Sequence, residues 1–179
     1  MRKINAVLTV LILVLFLLHG VAGAFQLFGA GNNTLKILGW ISLGLVAVHT
    51  VIGIKLTADT LKVQKQTGAP YFRENLLFWA RRISGFALIF LLGFHITAFG
   101  SNASGVYRLL PFGTFKLVMQ LLLAASLAVH VISNVRPMLI SFGIRSLKER
   151  SGDILFVLAL LLLFMTLSFI VYYIRWNSF

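Results

Sequence analysis

The sequence contains four histidines, His19, His49, His95 and His130, and no cysteine. Each histidine lies inside a long apolar run, and none falls in a connection. An ionisable side chain inside such a run is a functional candidate by default. A single one is as readily a ring hydrogen-bonded to a neighbouring helix. Four, one on each of four successive runs, are poorly explained that way, because structural histidines would also scatter into connections. Their heights sort them into pairs. His49 lies six residues before Lys55, and His130 six before Arg136. At 1.5 Å per residue, both are roughly 9 Å from those basic anchors. His19 lies sixteen residues after Lys3, and His95 thirteen after Arg82, which is roughly 20–24 Å from the same side. The expectation is two levels, His19 with His95 and His49 with His130. Joining His19 to His49 would bridge a height difference of roughly 11–15 Å, more than helix tilt removes.

Two imidazoles at one level, twice, is a restrictive demand. Zinc wants a third or fourth ligand, and neither cysteine nor an intramembrane carboxylate is present. Copper would lack a thioether or thiolate cluster. Haem iron takes two axial ligands on opposite faces of a flat ring, and facing helices of a bundle can supply them. The macrocycle needs close backbone approach. Gly23 and Gly53 each stand four residues after a histidine, on the same helical face, with Asn134 in that place after His130. Gly93 and Gly85 precede His95. No Cys-x-x-Cys-His motif is present, so each haem would be a non-covalent haem b. Thr97 and Ser133 are the nearby candidates for holding a second ring nitrogen.

The elements that must position these rings are the runs themselves. Five are legible, over Ile4 to Phe28, Ile37 to Leu56, Leu77 to Phe99, Phe112 to Val135 and Ile154 to Ile174. Each is long enough to cross roughly 30 Å of hydrocarbon as a helix. Backbone groups in lipid must be satisfied within the segment, and the alternation of a barrel strand is absent. The expected fold is all-α, an integral membrane bundle of five transmembrane helices forming one domain over residues 1–179.

Charge orients the bundle. Arg2, Lys3, Lys55, Lys62, Lys65, Arg73, Arg81, Arg82, Arg136, Arg145, Lys148 and Arg150 fall on one side, which is twelve of the sixteen basic residues. That side is expected to be cytoplasmic, with the N-terminus inside and the C-terminus outside. Lys36, Arg108, Lys116 and Arg175 fall on the other side. All four acids, Asp59, Glu74, Glu149 and Asp153, are also inside. This placement accounts for the net charge of +12, and no nucleic-acid motif accompanies it. The opening segment mimics a secretory signal with a small-residue end at Ala22-Gly23-Ala24, and is read as a retained first span. The connection 57–76, with Gly68 and Pro70, is not expected to be one continuous helix. Two short glycosylation-like motifs, "NNT" and "NAS", carry no weight.

The second half resembles a known family. "ARRISGFALIF", from Ala80 to Phe90, is similar to the arginine-x-serine-glycine opening of a helix in the cytochrome b anchors of succinate dehydrogenase and fumarate reductase. "AVHVISNVRPMLISFG", from Ala128 to Gly143, resembles the histidine helix of that family, in which arginine follows the ligand at spacing six before a Phe-Gly-like turn. His130, Arg136, Met138, Phe142 and Gly143 fit it. The plan is closest to the single-chain, dihaem, five-helix members. There, ligands pair first helix with third and second with fourth. The resemblance implies two haem b groups, a quinone, and inner connections that dock an iron–sulfur subunit bearing a flavoprotein subunit. It places Arg82 and Ser84 near a propionate or quinone and makes Arg136 a second propionate candidate. For these arginines, anchoring at the inner face is an equal explanation. Asn134 and Pro137 depart from the family pattern, and no acid lies mid-membrane or outside to serve an outer quinone.

The expected function is therefore electron transfer within a respiratory complex in a bacterial cytoplasmic membrane, exchanging electrons with quinone. A stand-alone dihaem reductase, the cytochrome b of another complex, and a scaffold with packed histidines are the alternatives. A ferric-reductase bundle fits less well, since it needs two histidines on one helix.

Overall fold

The computed structural model describes residues 2–30, 36–68, 75–98, 111–143 and 149–178. They form five helices: α1 Arg2–Leu27, α2 Lys36–Thr67, α3 Leu76–Ala98, α4 Thr114–Ser141 and α5 Ser151–Ser178. All five are long and apolar enough to cross a membrane, and the described residues contain no strand. Arg73, Glu74, Arg108, Arg145, Lys148 and both glycosylation-like motifs lie outside the described residues.

Two boundaries differ from the sequence expectation. α2 continues past Leu56 to Thr67, so over half of the expected 57–76 connection is helical. Thr57 and Thr60 return their hydroxyls to the carbonyls of Gly53 and Leu56, and the following Lys, Leu and Gln residues are good helix formers. Gly68, with φ +68°, supplies the left-handed residue at which the helix stops. At 32 residues, α2 is about 48 Å long and exceeds a bilayer's hydrocarbon core. α4 likewise runs through Pro137 to Ser141, and Gly143, with φ +70°, turns the chain after Phe142.

Proline within α4 has a local cost. Pro137 has no N–H, so the carbonyl of Ser133, four residues earlier, loses its helical partner. Arg81 of α3 supplies one, its Nε donating to the Ser133 carbonyl at 3.0 Å. This bond predicts a specific coupling. Arg81→Leu should destabilise the fold by about 1–3 kcal/mol, the cost of an unmet buried carbonyl. In a Pro137→Ala background, where residue 137 can donate to Ser133, the same change should cost much less. Equilibrium unfolding of the four proteins of this cycle measures the difference; equal costs in both backgrounds would show that Arg81 does not serve the proline.

Packing is uneven. α1 packs on α2 and α3 on α4, giving two antiparallel hairpins, and α5 packs on α4 and α1. The tight core lies on the α5 side. Ala24, Leu162 and Met165 are buried against Phe16, Leu127 and Phe164, and Val135, Leu139 and Leu158 against Leu13, Leu17 and Val131. At Gly20 a side chain would collide with the sulfur of Met165, so this glycine lets α5 approach α1. The α1–α3 and α2–α4 pairs are not among the closely packed ones. α2 has no buried residue. The two hairpins thus meet closely through α5 and stand apart on the opposite side.

Candidate functional site

The four histidines form two pairs, each joining one hairpin to the other. The rings of His19 on α1 and His95 on α3 have centroids 6.1 Å apart, with planes crossing at 78°. Those of His49 on α2 and His130 on α4 are 6.3 Å apart, crossing at 89°. These are the pairs expected from depth. They join helices that do not pack closely, so the rings reach across a gap.

Three helices give the separation of the two levels. Gly39 abuts His19 and lies ten residues before His49 on α2. Gln120 abuts His95 and lies ten residues before His130 on α4. Ser84 abuts His130 and lies eleven residues before His95 on α3. Each spacing corresponds to about 15–17 Å of helical rise.

Hydrogen bonds fix the tautomers on α3 and α4. Nδ1 of His95 lies 2.8 Å from the amide oxygen of Gln120. Nδ1 of His130 lies 3.2 Å from the backbone carbonyl of Arg81 and 3.2 Å from the hydroxyl oxygen of Ser84. A carbonyl oxygen only accepts, so each Nδ1 carries the proton and each Nε2 is left with its lone pair. Imidazole in this state is a metal ligand held by its second nitrogen. These partners are not Thr97 and Ser133. Thr97 returns its hydroxyl to Gly93 and Phe94, and Ser133 to the carbonyl of His130 itself. Among the described residues, nothing hydrogen-bonds Nδ1 of His49, although that atom is buried.

Glycine makes room for two of the rings. A Cβ on Gly39 would stand 2.9 Å from Cε1 of His19, and one on Gly85 would stand 3.3 Å from Cε1 of His130. Gly23, Gly53 and Gly93, three of the four glycines selected from the sequence, have nothing within 4 Å of a Cβ, and the fourth, Gly85, selected for His95, stands against His130 instead. The first three border open space.

The arrangement can be tested against possible occupants. No group of three or more histidines and acids able to hold a metal forms among the described residues. Two imidazoles bonded through nitrogen to one ion at about 2 Å have ring centres roughly 6 Å apart, close to the spacing of both pairs. With two protein ligands only, the remaining positions around such an ion would fall to a flat ligand in the gap. His19 with His95, and His49 with His130, are spaced as two nitrogen ligands of one metal ion in each pair would be.

The remaining candidates lie at the basic end. Arg82 donates from Nε to the hydroxyl of Thr57 at 3.0 Å, linking α3 to α2, and its guanidinium lies 4.2 Å from the centre of the Phe78 ring. Ser84 is buried, with its hydroxyl donated to the carbonyl of Ala80 at 2.6 Å. In "RISG", Ser84 and Gly85 thus both serve the ring of His130. Arg136 is exposed on α4, about 9 Å along the helix from His130. Sequence reasoning missed Gln120, Arg81 and Gly39. Only Arg81 had a signal, since an intramembrane proline asks a neighbouring helix for a donor. No protein-family model, curated protein or solved structure matches the chain.

Proposed function

We propose that this protein is a dihaem b transmembrane electron-transfer subunit that anchors a succinate dehydrogenase- or fumarate reductase-like complex and exchanges electrons with quinone. The observation that carries the reading is the double pairing of histidines across a gap, at ring spacings of 6.1 and 6.3 Å. When bound, each haem would take up and release one electron at its iron.

The protein's part is to hold, orient and enclose. His19 with His95 and His49 with His130 are the ligand pairs. Gln120, Ser84 and the Arg81 carbonyl orient the rings on α3 and α4, and Gly39 and Gly85 leave them space. The levels, about 15 Å apart along the helices, suit passage of electrons across about half of the roughly 30 Å hydrocarbon core. Arg82 bridges the hairpins near the His49–His130 level and is the residue best placed to meet a propionate or a quinone oxygen, with Arg136 as a second propionate partner. Ser84 remains a quinone candidate only through its oxygen, because its proton is already donated to α3.

The basic end would face the cytoplasm of a bacterial cell, by the excess of Lys and Arg there. The extension of α2 to Thr67, with exposed Lys62 and Lys65, belongs to that face and would help dock an iron–sulfur subunit carrying a flavoprotein subunit. Gentle purification from native membranes tests the anchoring role. Flavin and iron–sulfur signals should co-purify in fixed ratio to haem; haem without either would place the protein among stand-alone reductases.

A further inference from the structure

Gln120 is 0% exposed and is buried on α4 together with Leu123, Val135 and Leu139. Its amide oxygen lies 2.8 Å from Nδ1 of His95, and its amide nitrogen is buried with no hydrogen-bond partner among the described residues. As a packing residue it is a poor choice. A buried amide N–H without a partner costs about 1–3 kcal/mol, and a leucine of similar volume would fill the space without that penalty. What glutamine offers here and leucine does not is the acceptor for His95.

On the haem reading above, we infer that Gln120 is a positioning residue that sets the electron density on the ligating nitrogen of His95, and with it the reduction potential of the centre held by His19 and His95. The acceptor draws the Nδ1–H proton and enriches the ring in electrons. Nε2 becomes a stronger donor, which favours ferric over ferrous iron. The bond is short, and its acceptor is fully buried. No water competes with it, and a low-dielectric setting strengthens its pull. At His130 the corresponding proton faces two acceptors at 3.2 Å each, and neither involves Gln120. The second centre is thus an internal reference.

Redox titration of the purified full-length protein, followed in the visible bands, tests this. The component belonging to His95 is identified by its loss in His95→Ala. In Gln120→Leu that component should persist at a raised potential, with the ferrous-to-ferric ratio at fixed ambient potential increased about three- to tenfold; tenfold is about 59 mV for one electron. In Gln120→Glu, which puts a carboxylate in the acceptor's place, the same component should move down. The other component should stay put in both. An unmoved His95 component, or equal movement of both components, overturns the role of Gln120. If Gln120→Leu does not fold, Gln120→Glu decides: a lowered potential supports the inference and an unchanged one overturns it. Wild-type protein without haem bands would instead overturn the haem reading itself, and this one with it.

Discussion

Single alanine substitutions of the four histidines should sort into two spectral classes. His19→Ala and His95→Ala should each lose the same haem component, and His49→Ala and His130→Ala the other. Each variant should keep about half of the wild-type haem. The effect would be large because, on the proposed reading, each histidine would supply one of only two protein ligands to its haem. The grouping follows from the ring spacings, 6.1 Å for one pair and 6.3 Å for the other. It also follows from the roughly 15 Å of helix between Gly39, beside His19, and His49. Difference spectra of dithionite-reduced variants read the classes directly. A component lost in common by His19→Ala and His49→Ala would contradict the pairing.

Gly39→Ala should be nearly as damaging, although it adds only one methyl group. Alanine normally stabilises a helix relative to glycine, by up to about 1 kcal/mol. At Gly39 that gain meets a ring, because the new Cβ would stand 2.9 Å from Cε1 and 3.1 Å from Nδ1 of His19. The neighbour is an imidazole fixed by its partner, so the conflict is resolved by turning His19 away from His95. Gly39→Ala should therefore lose most of the His19–His95 component and leave the other intact. Gly85→Ala, with its Cβ 3.3 Å from His130, should shift the second component and retain it. Gly44→Ala, with nothing within 4 Å, is the control and should leave both unchanged. Haem content per chain measures all three. Full retention in Gly39→Ala would show that His19 has room that the packing of α2 denies it.

The pairs were legible in the sequence because height along a helix is a one-dimensional quantity. Counting residues from Lys55, Arg136, Lys3 and Arg82 suffices to place each ring, and the five apolar runs fix the number of helices. What surrounds each ring was not legible. The choice of Gly23 and Gly53 came from the four-residue repeat, which finds neighbours on the same helix. The residues that crowd His19 and His130 are Gly39 and Gly85, on adjacent helices. Their positions depend on the register between helices, and one helix's pattern does not encode that. The same limit hid Gln120, a polar residue in an apolar run whose amide oxygen meets His95 on α3. The family resemblance selects Arg82 and is silent on Arg81. The two arginines are adjacent in sequence, but they point to α4 and α2 respectively. The helix ends differed for a simpler reason. Polar residues after Leu56 signal the end of an apolar span, and a helix outlasts its apolar span wherever the following residues can still propagate it.

The claim on which the rest depends is that two histidine pairs each hold a haem. Pyridine haemochrome analysis of the purified full-length protein, normalised to protein by amino-acid analysis, measures it in one step. The account predicts the spectrum of haem b at two haems per chain, released by acid–organic extraction because no cysteine tethers them. One haem per chain, or none in protein purified from haem-replete cells, would contradict it.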